Sequence, residues 1–306
     1  MNKKILPALI AMSLSTAAYA DPEIWGLMHV TVHNADESSD SGTTSTSNVE
    51  LVSNYSRLGF RGSEALENGM EVIYHYELGI NTDDGTDWTK RNSFLGLKGE
   101  FGKIIAGRFD TAFKSSQGKV DIFGDQVGDI ARMITVNDSR VNNTIAYTTP
   151  STLGGFAVTG QYILSEDEDV KDGVTASASY AGNGLYAAVA AESNVKGEDS
   201  SAVRATVTYK FSKFQLGILG EQFKPNEDAD SVNGGIVSAM FTPIEKLDIK
   251  VQYGTSDIVE EGGTSASFGV DYRMTKTFKW TSYLTQNKSD EGTENTYIGA
   301  GALLKF

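Results

Sequence analysis

The side chains able to do chemistry are few in this sequence and poorly placed for it. His29, His33 and His75 are the only histidines. His29 and His33 share one face of an extended segment, but no carboxylate at a suitable spacing completes a metal site with them. Cysteine is absent, which removes disulfides, thiolate metal sites and a cysteine nucleophile. No string suggests the serine, histidine and orienting amide that a lipase would need. The run Glu166-Asp167-Glu168-Asp169 could offer several oxygens to Ca²⁺, yet it reads first as a solvated loop sharing divalent ions with anionic lipid. No catalytic residue, cofactor or metal site is assigned. What remains is a stretch of about thirty residues, Thr111 to Ser139, too long for an ordinary connection. It sets Asp121, Asp125, Asp129 and Asp138 among Val120, Ile122, Phe123, Val127, Ile130, Met133 and Ile134. Apolar residues of that number do not sit in solvent, so the stretch is expected to fold against something and carry its acids with it.

The elements that must hold it begin with an address. Lys3 and Lys4, the apolar run Ile5 to Leu14 and the small-x-small string Ala18-Tyr19-Ala20 have the layout of a secretory signal peptide, with cleavage expected after Ala20. Residues 1–20 are thus set aside, and residues 21–306 form one domain. The formal charge of −14 becomes −16 without the two lysines. That acidity excludes nucleic acid, whose phosphates demand a basic surface. No later apolar run approaches the ~20 residues of a spanning helix.

The mature chain alternates with a period of two. Val203, Ala205, Val207, Tyr209 and Phe211 point one way; Arg204, Thr206, Thr208 and Lys210 point the other. Leu247 to Tyr253 and Ser265 to Met274 repeat the pattern. Alternation alone fits a soluble antiparallel sheet as well as a membrane strand. Three features separate them. The segments run about ten residues, as tilted membrane strands require. Tight turns such as Ser212-Lys213 take turns with longer polar stretches such as Glu166 to Asp172. Aromatics, among them Phe60, Phe101, Tyr186, Phe211, Phe214, Phe241 and Trp280, gather beside the short turns, with Trp25 and Phe306 at the same level, like a membrane-interface girdle. The expected fold is an all-β, 16-stranded antiparallel transmembrane barrel. Its strands run from 24–35 through 48–62, 103–110 and 140–149 to 294–306, and the long third loop folds into the lumen. A barrel of about sixteen strands encloses an aqueous channel rather than a packed core.

On these strings the sequence resembles the Gram-negative general porin family: Ser56 to Gly62 (SRLGFRG), Arg91 to Gly99 (RNSFLGLKG), Ala106-Gly107-Arg108, the long third loop, Arg140 ahead of Thr144-Ile145-Ala146-Tyr147, and a terminal strand ending in Phe306. The likeness covers essentially the whole mature chain. It implies a homotrimer in the outer membrane, with both chain ends periplasmic and a passive channel for small hydrophilic solutes. It also implies an eyelet in which Arg57, Arg91 and Arg140 on the wall face Asp125 and Asp129 on the loop. Phe306 is implied to be an assembly signal read by the outer-membrane assembly machinery, and lipid and lipopolysaccharide are implied neighbours. The chain departs from the family where Phe123 to Asp129 lacks the proline and glutamate of the loop motif, and where Leu27 stands in place of a common lysine. The acidic mouth is expected to outweigh the arginines and give weak cation preference. The alternative is a sugar- or phosphate-selective channel on the same fold. A sugar track would add a line of aromatics down the lumen, which the sequence does not display, and a phosphate pore more lysine. An adhesin or phage-receptor barrel would have longer loops.

Overall fold

The computed structural model describes residues 22–38, 45–85, 88–259 and 262–306, so the expected signal peptide, Asp40 and Asp87 lie outside the described residues. The strands are β1 (Glu23–Ser38), β2 (Ser45–Ser53), β3 (Arg57–Ala65), β4 (Glu71–Gly79), β5 (Thr89–Gly99) and β6 (Gly102–Asp110). Two short helices follow, α1 (Ala112–Ser115) and α2 (Ile130–Met133). Then come β7 (Arg140–Thr148), β8 (Phe156–Ile163), β9 (Gly173–Gly182), β10 (Leu185–Ser193), β11 (Ser201–Phe211) and β12 (Phe214–Lys224). The chain ends with β13 (Val232–Ile244), β14 (Leu247–Ser256), β15 (Gly263–Arg273), β16 (Phe278–Lys288) and β17 (Glu294–Lys305). Strands adjacent in sequence pair antiparallel, except β2 with β3, and β1 pairs with β17 from Leu27–Lys305 to Glu37–Asn295, closing the sheet. Closure removes both edges and satisfies the backbone internally, which hydrocarbon demands.

Seventeen segments make sixteen staves, because β2 and β3 both pair with β1 and are halves of one stave. The sequence predicts an unbroken strand over 48–62. The break comes at Asn54–Ser56, where Tyr55 takes φ +51°. Strand β1 holds both sides of it: Asn54 N donates to His29 O at 2.8 Å, and His29 N donates to Ser56 Oγ at 3.0 Å.

Alternation sorts the side chains as expected. On β11 the apolar Val203 and Val207 are exposed on the outer wall, while Arg204, Thr206 and Thr208 are buried on the inner one. At the short-turn end Phe211, Phe214 and Phe241 stack around the outside, with centroids 5.7 and 4.7 Å apart. Two residues expected in that girdle are not there. Tyr186 turns inward and donates from its hydroxyl to Ser116 O at 3.1 Å. Trp25 is out of phase with the outward Ile24 and Met28, and its ring lies over Gly59 on the inner face. The terminal Phe306 does lie outside, its ring resting on Gly26, where any side chain would collide with it.

Residues 111–139 fold into the barrel. Phe113 is fully buried against Ala190, Ala202 and Phe223; Val120, Ile130 and Ile134 pack on Leu219 and Ile236; Phe123 and Val127 pack on Tyr283. Burying a Phe or Ile side chain is worth about 1.5–3 kcal/mol, so these contacts hold the loop down. Polar wall residues satisfy its backbone: Ser238 Oγ donates to Val120 O (2.6 Å), Ser256 Oγ to Ile134 O (2.7 Å), and Gln252 Oε1 accepts from Ile122 N (3.0 Å). Most of the buried apolar core is therefore the seam between loop and wall, and a smaller cluster, Ile105, Phe109 and Ala146 with Ile73 and Phe94, lies on the barrel strands themselves.

Candidate functional site

Three arginines line the wall that the loop leaves uncovered, and a bulge decides where one of them points. On β4 and β5 Tyr76 faces Ser93 but Leu78 faces Lys90, so Glu77 alone opposes Arg91 and Asn92. Counting by twos from the outward Leu95 puts Arg91 on the lipid side; the extra residue turns it inward. Its Nε then lies 2.5 Å from Glu77 Oε1. A second register shift, between Gly107 and Phe109 on β6 and β7, precedes the pairing of Arg140 with Asp110.

Every arginine of the cluster has a carboxylate. Arg57 Nη1 lies 3.2 Å from Asp125 Oδ2 and its Nε 3.6 Å from Glu77 Oε1. Arg140 Nη2 lies 2.9 Å from Asp110 Oδ1, and its Nε donates to Asn92 Oδ1 at 2.7 Å. Glu77, only 4% exposed, also has His75 Nε2 at 3.6 Å. Three guanidinium groups thus meet three carboxylates, Glu77, Asp110 and Asp125, and the formal charge of this group is zero.

The two loop acids part company. Asp125, at the loop tip with φ +67°, reaches the wall at Arg57. Asp129 does not face the arginines: its Oδ1 accepts from Ala131 N (2.8 Å) as the cap of α2, and its Oδ2 from Asp125 N (2.7 Å). Burial pushes its carboxyl above the usual range. Asp121 accepts from Phe123 N, Ile130 N and Gln252 Nε2, and burial, with Asp129 beside it, pushes it up to about 7. Asp129 is spent on the loop's own shape, and Asp121 on that shape and on the tie to Gln252 of the wall. Sequence reasoning missed Glu77 and Asp110. The signal for Glu77 was present, since it falls between the outward Tyr76 and Leu78 and so points into the lumen.

Elsewhere on the inner wall, His33 is held by Tyr283 Oη at 2.9 Å and Glu50 Oε2 at 3.2 Å. Next to the arginine cluster, toward the short-turn end, a row of rings crosses the wall. Trp25 and His75 have centroids 5.5 Å apart, His75 and Phe94 stack at 5.3 Å, and Phe94 meets Phe109 edge-on at 5.9 Å. The sequence displayed no aromatic line in the lumen; the structure has a short one. It was hidden because Trp25 read as part of the girdle.

A family model described as Gram-negative porin matches residues 8–292. Among curated proteins, the major outer membrane protein P.IB of Neisseria meningitidis serogroup A is 27% identical over 96% of this chain and 86% of its own length. P.IB of Neisseria sicca is 31% identical over 56% of this chain, a match spanning about half (49%) of that relative. Among solved structures, an anion-selective porin from Comamonas acidovorans superposes with TM-score 0.75 at 19% identity, over 94% of this chain and 100% of that one. Salmonella typhi OmpF, in complex with daunomycin, gives 0.73 at 16% identity over 93% and 97%.

Proposed function

This chain belongs to the Gram-negative porin family, outer-membrane barrels that are passive pores and not enzymes, and on that premise we propose how its lumen selects. Small hydrophilic solutes and ions cross between the loop and the wall cluster of Arg57, Arg91 and Arg140, with Asp125 on the loop side. The observation that carries this reading is the pairing of every one of those arginines with a carboxylate. A balanced cluster orders water across the gap without a strong preference for either sign of ion. The choice then falls to the mouth, where Asp36, Glu37, Glu166, Asp167, Glu168, Asp169, Glu198, Glu227 and Asp228 crowd the long-loop end and Lys171 is paired with Glu198 and Asp199. Such exposed charges reach roughly 8 Å at physiological ionic strength and farther in dilute salt.

The pore is therefore weakly cation-preferring, more so at low salt. Reversal potentials in a planar bilayer test this: chloride more permeant than potassium at both ~0.1 M and ~1 M salt would end the proposal. Asp125→Asn should move the permeability ratio toward chloride by roughly twofold, since Asp125 is partly exposed and water screens it. An unchanged reversal potential in that variant would remove Asp125 from the constriction. A structural neighbour bears the description anion-selective, but at 19% identity it speaks for the fold alone. The sugar- or phosphate-selective alternative has one observation in its favour, the row of rings beside the arginines.

A homotrimer is part of the proposal; one Vibrio cholerae OmpT structure of the same fold is described as a trimer form. So are contact with lipid and lipopolysaccharide, cleavage after Ala20, and periplasmic chain ends. Phe306 acts as the assembly signal, supported by its outward position on Gly26 and by backbone bonds in both directions, Gly26 N to Phe306 O at 2.7 Å and Phe306 N to Gly26 O at 3.1 Å. Phe306→Ser should lose most heat-modifiable trimer from outer-membrane fractions. Normal yield would show that the last residue is not read.

A further inference from the structure

Phe94 packs with Ile73 on the small apolar cluster of Ile105, Phe109 and Ala146, but Trp25 and His75 carry the row beyond it onto a lumen wall that polar side chains would hydrate better. Trp25, His75 and Phe94 come from β1, β4 and β5, run together at 5.3–5.5 Å, and keep part of their surface free. Phe109 closes the row and is buried at its end with Ile105 and Ala146. Beside the rings stand Arg57, Arg91 and Glu77, joined in ion pairs that orient the donors and acceptors of all three. Trp25 Nε1 is buried and donates to nothing among the described residues.

We propose that the Trp25–His75–Phe94 row and the paired Arg57, Arg91 and Glu77 beside it form a subsite for neutral pyranose sugars on the short-turn side of the constriction. This rests on the reading of that constriction as the solute path and names a solute class for it. The chemistry fits a neutral hydroxylated ring better than an ion. A pyranose has one face of C–H groups, which lies against an aromatic ring, and a rim of hydroxyls that both donate and accept. Guanidinium groups already neutralised by Glu77 donate to such hydroxyls without demanding a charge, whereas a free anion would have to displace Glu77 or Asp125. An acidic mouth also leaves a neutral sugar unhindered while it opposes anions. The row is short, so the subsite holds a sugar in passage and does not conduct it along the whole barrel.

The test is single-trimer current recording with maltose as probe and sorbitol, which lacks a ring face, as control. Maltose should interrupt the wild-type current in a saturable way, and sorbitol should lower it only through viscosity. Trp25→Leu and Phe94→Leu keep an apolar side chain but remove the flat face, so both barrels should assemble while the apparent maltose affinity falls about tenfold in each. Equal effects of maltose and sorbitol would overturn the subsite, as would undiminished maltose block in both Leu variants. A failure of the constriction itself is read separately, from the reversal potential of Glu77→Gln without sugar.

Discussion

Glu77→Gln should turn the pore toward anions more strongly than any loop substitution. Glu77 holds Arg91 at 2.5 Å and Arg57 at 3.6 Å, and at 4% exposure it is shielded from the water that screens Asp125. The amide keeps its shape and can still accept a hydrogen bond from Arg91, so the wall should stay in place while its charge changes from zero to +1. One uncompensated charge about 8 Å from a permeating ion, at an effective dielectric constant of about 40, amounts to roughly 1 kcal/mol. The effect has opposite sign for potassium and chloride, so their permeability ratio should move by about tenfold or more in dilute salt, less in concentrated salt. Reversal potentials across a salt gradient measure this directly. A ratio that stays within about twofold of wild type would mean that ions do not pass within a Debye length of Glu77, and the constriction would have to lie elsewhere.

That Glu77, unlike Asp129, carries this effect marks the boundary of what the sequence could say. Strand parity is local, and Val203 to Phe211 announced their two faces without any knowledge of the fold. So did the loop, whose Val120, Phe123, Ile130 and Ile134 had to be buried somewhere. The site depends on register between strands far apart in sequence, and there local reading fails. Parity alone would have put Arg91 outside; the extra residue opposite Glu77 reverses it. Trp25 read as girdle because its level was right, but one residue of phase separates lipid from lumen. Asp129 read as a constriction acid because its spacing from Asp125 matched the resemblance. A residue that starts a helical turn can use the same carboxylate as a cap, and here the cap won.

Breaking the ion pair at the loop's root should disturb gating more than any change at its tip. Arg204 on β11 and Glu221 on β12 are wholly buried, with Arg204 Nη2 2.5 Å from Glu221 Oε2. Both also grip the loop. Glu221 Oε1 accepts from Thr135 Oγ1 and Asn137 Nδ2, each at 2.6 Å. Arg204 donates to Phe113 O at 3.3 Å, and its guanidinium lies 4.4 Å from the Phe113 ring centroid. Glu221→Ala leaves a buried guanidinium without its counter-charge, a loss of about 3–5 kcal/mol in comparable cases. The barrel itself is closed by backbone ladders that neither side chain supplies, so the barrel should still reach the membrane. The loss should appear in the loop, as noisy, larger conductance and faster proteolysis within residues 111–139. The double variant Arg204→Met, Glu221→Leu separates charge from grip. It removes the stranded charge and should recover most thermal stability, while the bonds to Thr135, Asn137 and Phe113 stay lost and the current stays noisy. A quiet Glu221→Ala channel with wild-type melting would show that apolar packing of Phe113, Val120 and Ile134 holds the loop unaided, and that the buried pair is incidental to gating.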